Sequence, residues 1–226
     1  LGFLSDGYFI DIGIPEDYET AQNTLPLIAD RSFEGWTLFL DRDGVINKRT
    51  PNDYVKSMNE WVYCDGALNA ISKFSKIFDQ LIVVTNQQGV PLGKMSSYTL
   101  ELIHQNLKDD VRKHGGYIDA IYASLDLKEK TDNSRKPNTH MAQWAKRDFP
   151  EIDFNKSIMV GDSASDIEFG QALGMRTTSV EGKIEDDAAI KALQPNWSCK
   201  DLAHFADIFT KPSEIISQVE AGTPFE

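Results

Sequence analysis

The strongest constraint in this chain is a recurring short apolar run that lacks a polar alternate face. Thr37-Leu38-Phe39-Leu40 runs into Asp41-Arg42, and Leu81-Ile82-Val83-Val84 runs into Thr85-Asn86-Gln87-Gln88-Gly89. Tyr117 to Ala123, Ser157 to Gly161 and the shorter Arg176 to Val180 repeat the pattern. A strand wetted on one side alternates apolar and polar residues, whereas continuous apolar runs suit strands covered on both faces. Helical periodicity fills the gaps, at about 66–78, 96–113, 138–148 and 164–173. Alternating strands and helices of this kind predict an α/β domain built on a doubly wound, mostly parallel sheet. Ligands in such sheets sit at the carboxyl ends of the strands. Gly182 to Asp187 opens a more polar stretch, and Asp201 to Phe209 suits a last short helix or edge strand.

The length of 226 residues accommodates one substantial core with an appendage, which divides the chain at 1–34 and 35–226. The net charge of -12, without a basic run, disfavours nucleic acid and anionic membrane as partners. A phosphorylated substrate is also an anion, so an acidic enzyme handling one needs a local cation. The apolar runs are far too short to span a bilayer, and the N-terminus lacks a basic-then-apolar leader pattern, so a soluble cytoplasmic protein is expected. Only Cys64 and Cys199 occur, without CxxC spacing, and they read as plain buried thiols.

Asp41-Arg42-Asp43-Gly44-Val45-Ile46-Asn47 places two carboxylates two residues apart where the chain leaves the first strand. Gly44 permits a sharp turn there, which lets both acids face one pocket. One carboxylate can attack phosphorus and form an acyl phosphate, while the other exchanges a proton with the leaving oxygen and then with water. Asp41 suits the first task and Asp43 the second, although a lone Asp-Gly pair equally makes a simple turn. Gly161-Asp162-Ser163-Ala164-Ser165-Asp166 repeats the acids after the fourth run. Converging carboxylates repel one another unless a cation sits among them, and hard oxygen donors favour Mg²⁺ over zinc. Asp41, Asp162 and the backbone carbonyl of Asp43 are the candidate ligands, while Asp162 and Ser163 singly also suit a helix N-cap. Asp166 suits an orienting role. Thr85, at the end of the second run, offers a hydroxyl and following N–H groups to phosphate oxygens. Lys136, in Ser134-Arg135-Lys136-Pro137, offers a cation just before a helix in which Pro137 suits the first position. Singly it reads as a solvated lysine.

Taken in order, Asp-x-Asp, Thr85, Lys136 and Gly161-Asp162 resemble the four motifs of the haloacid dehalogenase superfamily of phosphatases. Asp41 to Asn47, Thr85-Asn86-Gln87-Gln88-Gly89-Val90 and Arg135-Lys136-Pro137 resemble more narrowly the branch containing D,D-heptose 1,7-bisphosphate and histidinol-phosphate phosphatases. The resemblance covers roughly residues 37–180. It implies a Rossmann-like core and Asp41 as nucleophile with Asp43 as acid/base. It further implies Thr85, Asn86, Arg135 and Lys136 on phosphate groups, and Asp41, Asp43 and Asp162 around Mg²⁺. Many members of that branch carry a Cys/His zinc loop before Arg-Lys-Pro. Here Ser124 to Asn133 holds no such ligand set, which leaves the substrate more open than the reaction. No large cap insertion is evident.

Gly7 to Gln22 resembles the closing strand and helix of sugar-phosphate nucleotidyltransferases, and the chain opens with Leu. These features suggest the phosphatase half of a bifunctional protein, with a nucleotidyltransferase domain as its covalent partner. The fusion favours a sugar bisphosphate in nucleotide-sugar biosynthesis over histidinol phosphate. A non-catalytic sugar-phosphate-binding scaffold is the alternative from another class, and a mutase would need a cap to exclude water. His104, His114, His140 and His204 lack mutual metal spacing and are expected at surface or cap positions without a catalytic role. Of the tryptophans only Trp61 falls near a motif, together with Tyr63.

Overall fold

A computed structural model describes residues 33–50, 53–182 and 184–209. The strand-and-helix reading of residues 7–22 therefore lies outside the described residues.

Six strands form one sheet: β1 (Thr37–Leu40), β2 (Gln80–Asn86), β3 (Ala120–Ser124), β4 (Ser157–Gly161), β5 (Arg176–Val180) and β6 (Trp197–Cys199). Their spatial order is β3-β2-β1-β4-β5-β6, and every pairing is parallel. The chain thus builds outward from β1 in one direction and then, from β4, in the other. Among the described residues six α-helices connect and flank the strands: α1 (Ala67–Phe74), α2 (Ser97–Lys113), α3 (His140–Asp148), α4 (Ala164–Ala172), α5 (Asp187–Leu193) and α6 (Leu202–Phe209).

The absent polar face has a direct structural cause. On β1, Leu38 and Leu40 join one apolar cluster and Phe39 joins the other. The same split recurs on β2, where Leu81 and Val83 face one way and Ile82 and Val84 the other. Residues of α1, α2 and α6, including Ile71, Phe74, Leu107 and Phe205, cover the first face. Met141, Ala142 and Ala145 of α3 and Phe169 of α4 cover the second. Burial on both faces removes any selection for polar residues at alternate positions.

Several boundaries differ from the sequence reading. β2 runs one residue past Thr85, the expected strand end, to Asn86. β3 starts at Ala120, because Gly115-Gly116 and an exposed Tyr117 belong to the turn after α2. Pro137 does not open α3, which starts at His140 with Thr139 as its N-cap. β6 and α5 carry no signal strong enough in sequence, and the segment from Asp201 resolves as helix α6. No helix among the described residues is long and apolar enough to cross a membrane.

Candidate active site

The order of the sheet reverses direction between β1 and β4, and the ends of these two strands carry the acids. Asp41 continues the ladder, its N–H donating to the Val160 carbonyl at 2.9 Å. Past it the chain turns sharply, with Gly44 at φ +98° donating its N–H to the Asn47 carbonyl at 2.7 Å. The glycine is required twice over, since a Cβ here would lie 1.9 Å from Asp162 Oδ2. Gly161 has a similar role at the end of β4, where a Cβ would fall 2.1 Å from the Asp166 side chain.

Between these turns, carboxylate oxygens of Asp41, Asp162 and Asp166 lie within 4.8 Å of one another, all three residues buried. Lys136 Nζ binds the group together, 2.6 Å from Asp41 Oδ1, 2.6 Å from Asp166 Oδ1 and 2.7 Å from the Val84 carbonyl. Burial pushes the Asp41 carboxyl up to about 6, with Lys136 opposing and Asp166 and Asp43 adding to the rise. Asp162 is raised to about 7, first by burial and then by Asp41. Burial works against the Lys136 charge, yet Asp166 and Asp41 carry its pKa above the ordinary lysine value. The second oxygen of Asp166 accepts from Ser163 N at 3.1 Å and Ser163 Oγ at 2.6 Å. Ser163 is therefore the N-cap residue of α4, and Asp162 is left facing the other acids.

Asp43 turns elsewhere. It accepts from Arg42 Nη2 at 2.9 Å, from Asn47 Nδ2 at 2.8 Å and from Gln87 Nε2 at 2.7 Å. Burial raises its pKa, but the Arg42 charge and these hydrogen bonds outweigh that and hold it below the usual carboxylate value. Its carboxylate thus stands apart from the three-acid group, although its backbone carbonyl accepts from Arg49 Nε at 3.2 Å.

A cavity of about 410 Å³ opens over these groups, lined among others by Asp41, Asp43, Thr85, Asn86, Arg135 and Lys136. Six of the seven residues singled out from sequence thus share one space, with Asp162 completing the carboxylate group beneath. Their connections are more specific than the sequence suggested. Thr85 Oγ1 accepts from Gln87 Nε2 at 2.9 Å. The Asn86 side chain accepts from Lys136 N at 2.9 Å and donates to its carbonyl at 3.2 Å, so it holds the lysine's backbone.

Three participants escape sequence reading. Gln87 bridges Asp43 and Thr85 with one amide. Arg49 pairs with Asp162, its Nη2 2.8 Å from Oδ1 and its Nε 2.7 Å from Oδ2. His104, expected at a surface or cap, is buried on α2 with Nε2 3.1 Å from Arg42 Nη1. Arginine can only donate, so that nitrogen must be unprotonated. Burial, then the Arg42 charge, lowers the imidazole to about 3. Trp61 stands near this group, its ring centroid 5.5 Å from the Arg42 guanidinium carbon. Gln87 lies inside the Thr85–Val90 motif but the sequence assigns it no role there, Arg49 falls just after the Asp41–Asn47 motif, and His104 is near none. Of the cysteines, Cys199 is buried and Cys64 half-buried, and burial raises their thiols to about 12 and about 11.

The three-acid group fits a hard divalent cation. Its three buried carboxylates supply hard oxygen donors within reach of one ion, and burial together with mutual repulsion raises the pKa values of Asp41 and Asp162.

Residues 133–205 match the family model of HAD-like hydrolases. Over 143 residues the chain is 36% identical to the D-glycero-alpha-D-manno-heptose-1,7-bisphosphate 7-phosphatase of Mycobacterium bovis, covering 63% of this chain and 75% of the relative. The chain belongs to the haloacid dehalogenase superfamily of phosphatases. This phosphatase is also 34% identical over 144 residues to the D-glycero-beta-D-manno-heptose-1,7-bisphosphate 7-phosphatase of Pseudomonas putida, covering 64% of this chain and 81% of that one. Among solved structures it superposes with a TM-score of 0.71 on the D,D-heptose 1,7-bisphosphate phosphatase of B. bronchiseptica, complexed with magnesium and phosphate. That match has 28% identity and covers 79% of this chain and 99% of the other. The six-stranded parallel sheet of this haloacid dehalogenase phosphatase is thus the fold its sequence resemblance implies.

Proposed function

We propose that this phosphatase removes the 7-phosphate of a D-glycero-D-manno-heptose 1,7-bisphosphate through an aspartyl-phosphate on Asp41, with Mg²⁺ as cofactor. The observation that carries the reading is the placement of Asp41. Its carboxylate borders the cavity, Lys136 fixes one oxygen, and Asp162 and Asp166 stand close enough to share a cation with it. Bound there, Mg²⁺ would neutralise the cluster and draw charge from the phosphoryl group.

In the first step an Asp41 oxygen forms a bond to phosphorus as the bond to the sugar oxygen breaks. Asp43 supplies the proton that the sugar oxygen needs. Its carboxyl rests ionised beside Arg42; the approaching phosphate dianion raises its proton affinity, so that it takes up a proton from solvent and then passes that proton to the sugar oxygen. In the second step Asp43 takes a proton from water, whose oxygen attacks phosphorus and releases Asp41. Lys136 and the Thr85 hydroxyl hold the transferred group, Asn86 keeps Lys136 in place, and Arg135 meets the substrate's other phosphate as a guanidinium fork.

The relatives' names supply the heptose, and they divide between the α and β anomers. Residues 1–34 are read as the end of a nucleotidyltransferase domain, which would activate the 1-phosphate product in the cytoplasm. The test is Mg²⁺-dependent phosphate release from both anomers, from histidinol phosphate and from other sugar phosphates. Asp41→Asn should lower turnover by about 10⁴-fold or more while the protein stays folded. Turnover that survives this change, or no preference for a sugar bisphosphate, would overturn the reading.

A further inference from the structure

Residues 125–135 leave the end of β3 and return to the cavity, and the Asp126 side chain clasps the two ends of this loop. Asp126 Oδ2 accepts from Ser134 N and from Ser134 Oγ, both at 2.8 Å. Its other oxygen takes Lys130 Nζ at 2.7 Å. Ser134 Oγ lies 2.7 Å from the Oγ of buried Ser124, the last residue of β3, which ties the returning chain to the sheet. Arg135 follows at once, donating its N–H to Asn133 Oδ1 at 3.0 Å and Nη1 to the Asp126 carbonyl at 3.4 Å. The hydrogen bonds from Lys130 and Ser134 hold the Asp126 carboxyl well below the usual range, so it stays ionised at neutral pH.

Lys136 hangs from different supports. Asn86 takes its backbone groups, while Val84, Asp41 and Asp166 take its ammonium. Two neighbours in the chain are therefore positioned independently, Arg135 by the loop and Lys136 by β2 and the acids.

We infer that Asp126 is a positioning residue for substrate specificity, holding Arg135 at the cavity so that its guanidinium meets an acidic group of the substrate remote from the phosphate being cleaved. This rests on the role given to Arg135 under Proposed function. A free arginine loses rotamer freedom when it binds, and ordering it in advance leaves less for the substrate to overcome. The chemistry at Asp41 does not depend on the clasp.

Steady-state kinetics on two phosphoesters separate these parts. Heptose 1,7-bisphosphate carries a second phosphate, and p-nitrophenyl phosphate has no other acidic group. Asp126→Ala should raise KM for the bisphosphate roughly tenfold with kcat nearly unchanged, and leave both constants for the aryl phosphate within about twofold. Arg135→Ala should likewise raise KM for the bisphosphate, and the double variant should be no worse on that substrate than Arg135→Ala alone. Should Asp126→Ala fold poorly, Ser134→Ala, which keeps the backbone donor to Asp126, should still raise KM for the bisphosphate only. Equal losses on both substrates, additive effects in the double variant, or an unchanged KM for the bisphosphate would each overturn the inference. A parent enzyme that hydrolyses the aryl phosphate but not the bisphosphate removes the substrate reading and this inference together. A parent that prefers the bisphosphate, with variants that keep the preference, removes only the inference.

Discussion

Asp41 and Asp43 stand two residues apart on the same turn and meet opposite environments. Asp41 sits among acids, and burial drives it up to about 6 despite Lys136. Asp43 sits against Arg42, Asn47 and Gln87, which hold it below the ordinary value. Their separation comes from Arg42, the residue between them. It is fully buried beside His104 and Trp61, and its guanidinium draws the second acid away from the first. The lesson is that two chemically identical groups become different reagents when one shares its buried cation with another carboxylate and the other does not.

Breaking that contrast should have the largest effect. Arg42→Met should cost about 3 kcal/mol of stability, because it leaves Asp43 without its buried partner, and denaturant unfolding measures it. Turnover should fall as well, as Asp43 loses the guanidinium that holds its carboxylate in place. An unchanged unfolding midpoint would show that the pair contributes no net stability.

The acid group can be probed through pH. Asp41 and Asp162, at about 6 and about 7, lie above their ordinary value of 3.8, so between those limits the folded state holds protons that the unfolded chain has released. Without a divalent cation, stability contributed by these groups is present below pH 3.8 and is lost as pH rises through about 6 to 7. Mg²⁺ replaces those protons, so its stabilising effect should grow across the same window. At alkaline pH and a hundredfold excess over Kd it should approach about 2.7 kcal/mol, and at pH 5 be close to nil. Melting curves with Mg²⁺ and with chelator read the difference, and a gap independent of pH would contradict it.

A smaller change sharpens the contrast from the cation side. Arg49 donates to the Asp162 carboxylate and the Asp43 carbonyl, two of the oxygens assigned to the metal from sequence. A guanidinium on those oxygens competes with a metal for them. Arg49→Ala should therefore tighten Mg²⁺ binding by roughly tenfold, or about 1.4 kcal/mol, in a calorimetric titration. Unchanged or weaker binding would mean that the arginine does not compete.

Local order in the sequence carried much of this. The apolar runs specified β1, β2 and β4 because those strands are buried on both faces, and the Asp-x-Asp-Gly turn was legible because Gly44 must accept a positive φ. β6 and α5 were not, since a three-residue strand and a seven-residue helix offer too few positions to show a period. That Asn86 lines the cavity is legible in its motif, but that its amide also holds the backbone of Lys136, fifty residues away, is not. His104 looked like an ordinary helical histidine because its partner, Arg42, is sixty-two residues distant.

By itself the sequence determined the parallel α/β layering, the strand ends at which the acids stand and the residue types able to work on a phosphoester. Those follow from periodicity and local turn chemistry, which act over a few residues. Only the tertiary structure decided that Asp166 joins Asp41 and Asp162, that Asp43 belongs to Arg42, and that Arg135 and Lys136 hang from separate supports. Those choices depend on distances and burial between segments far apart in the chain, and no spacing along the chain encodes them.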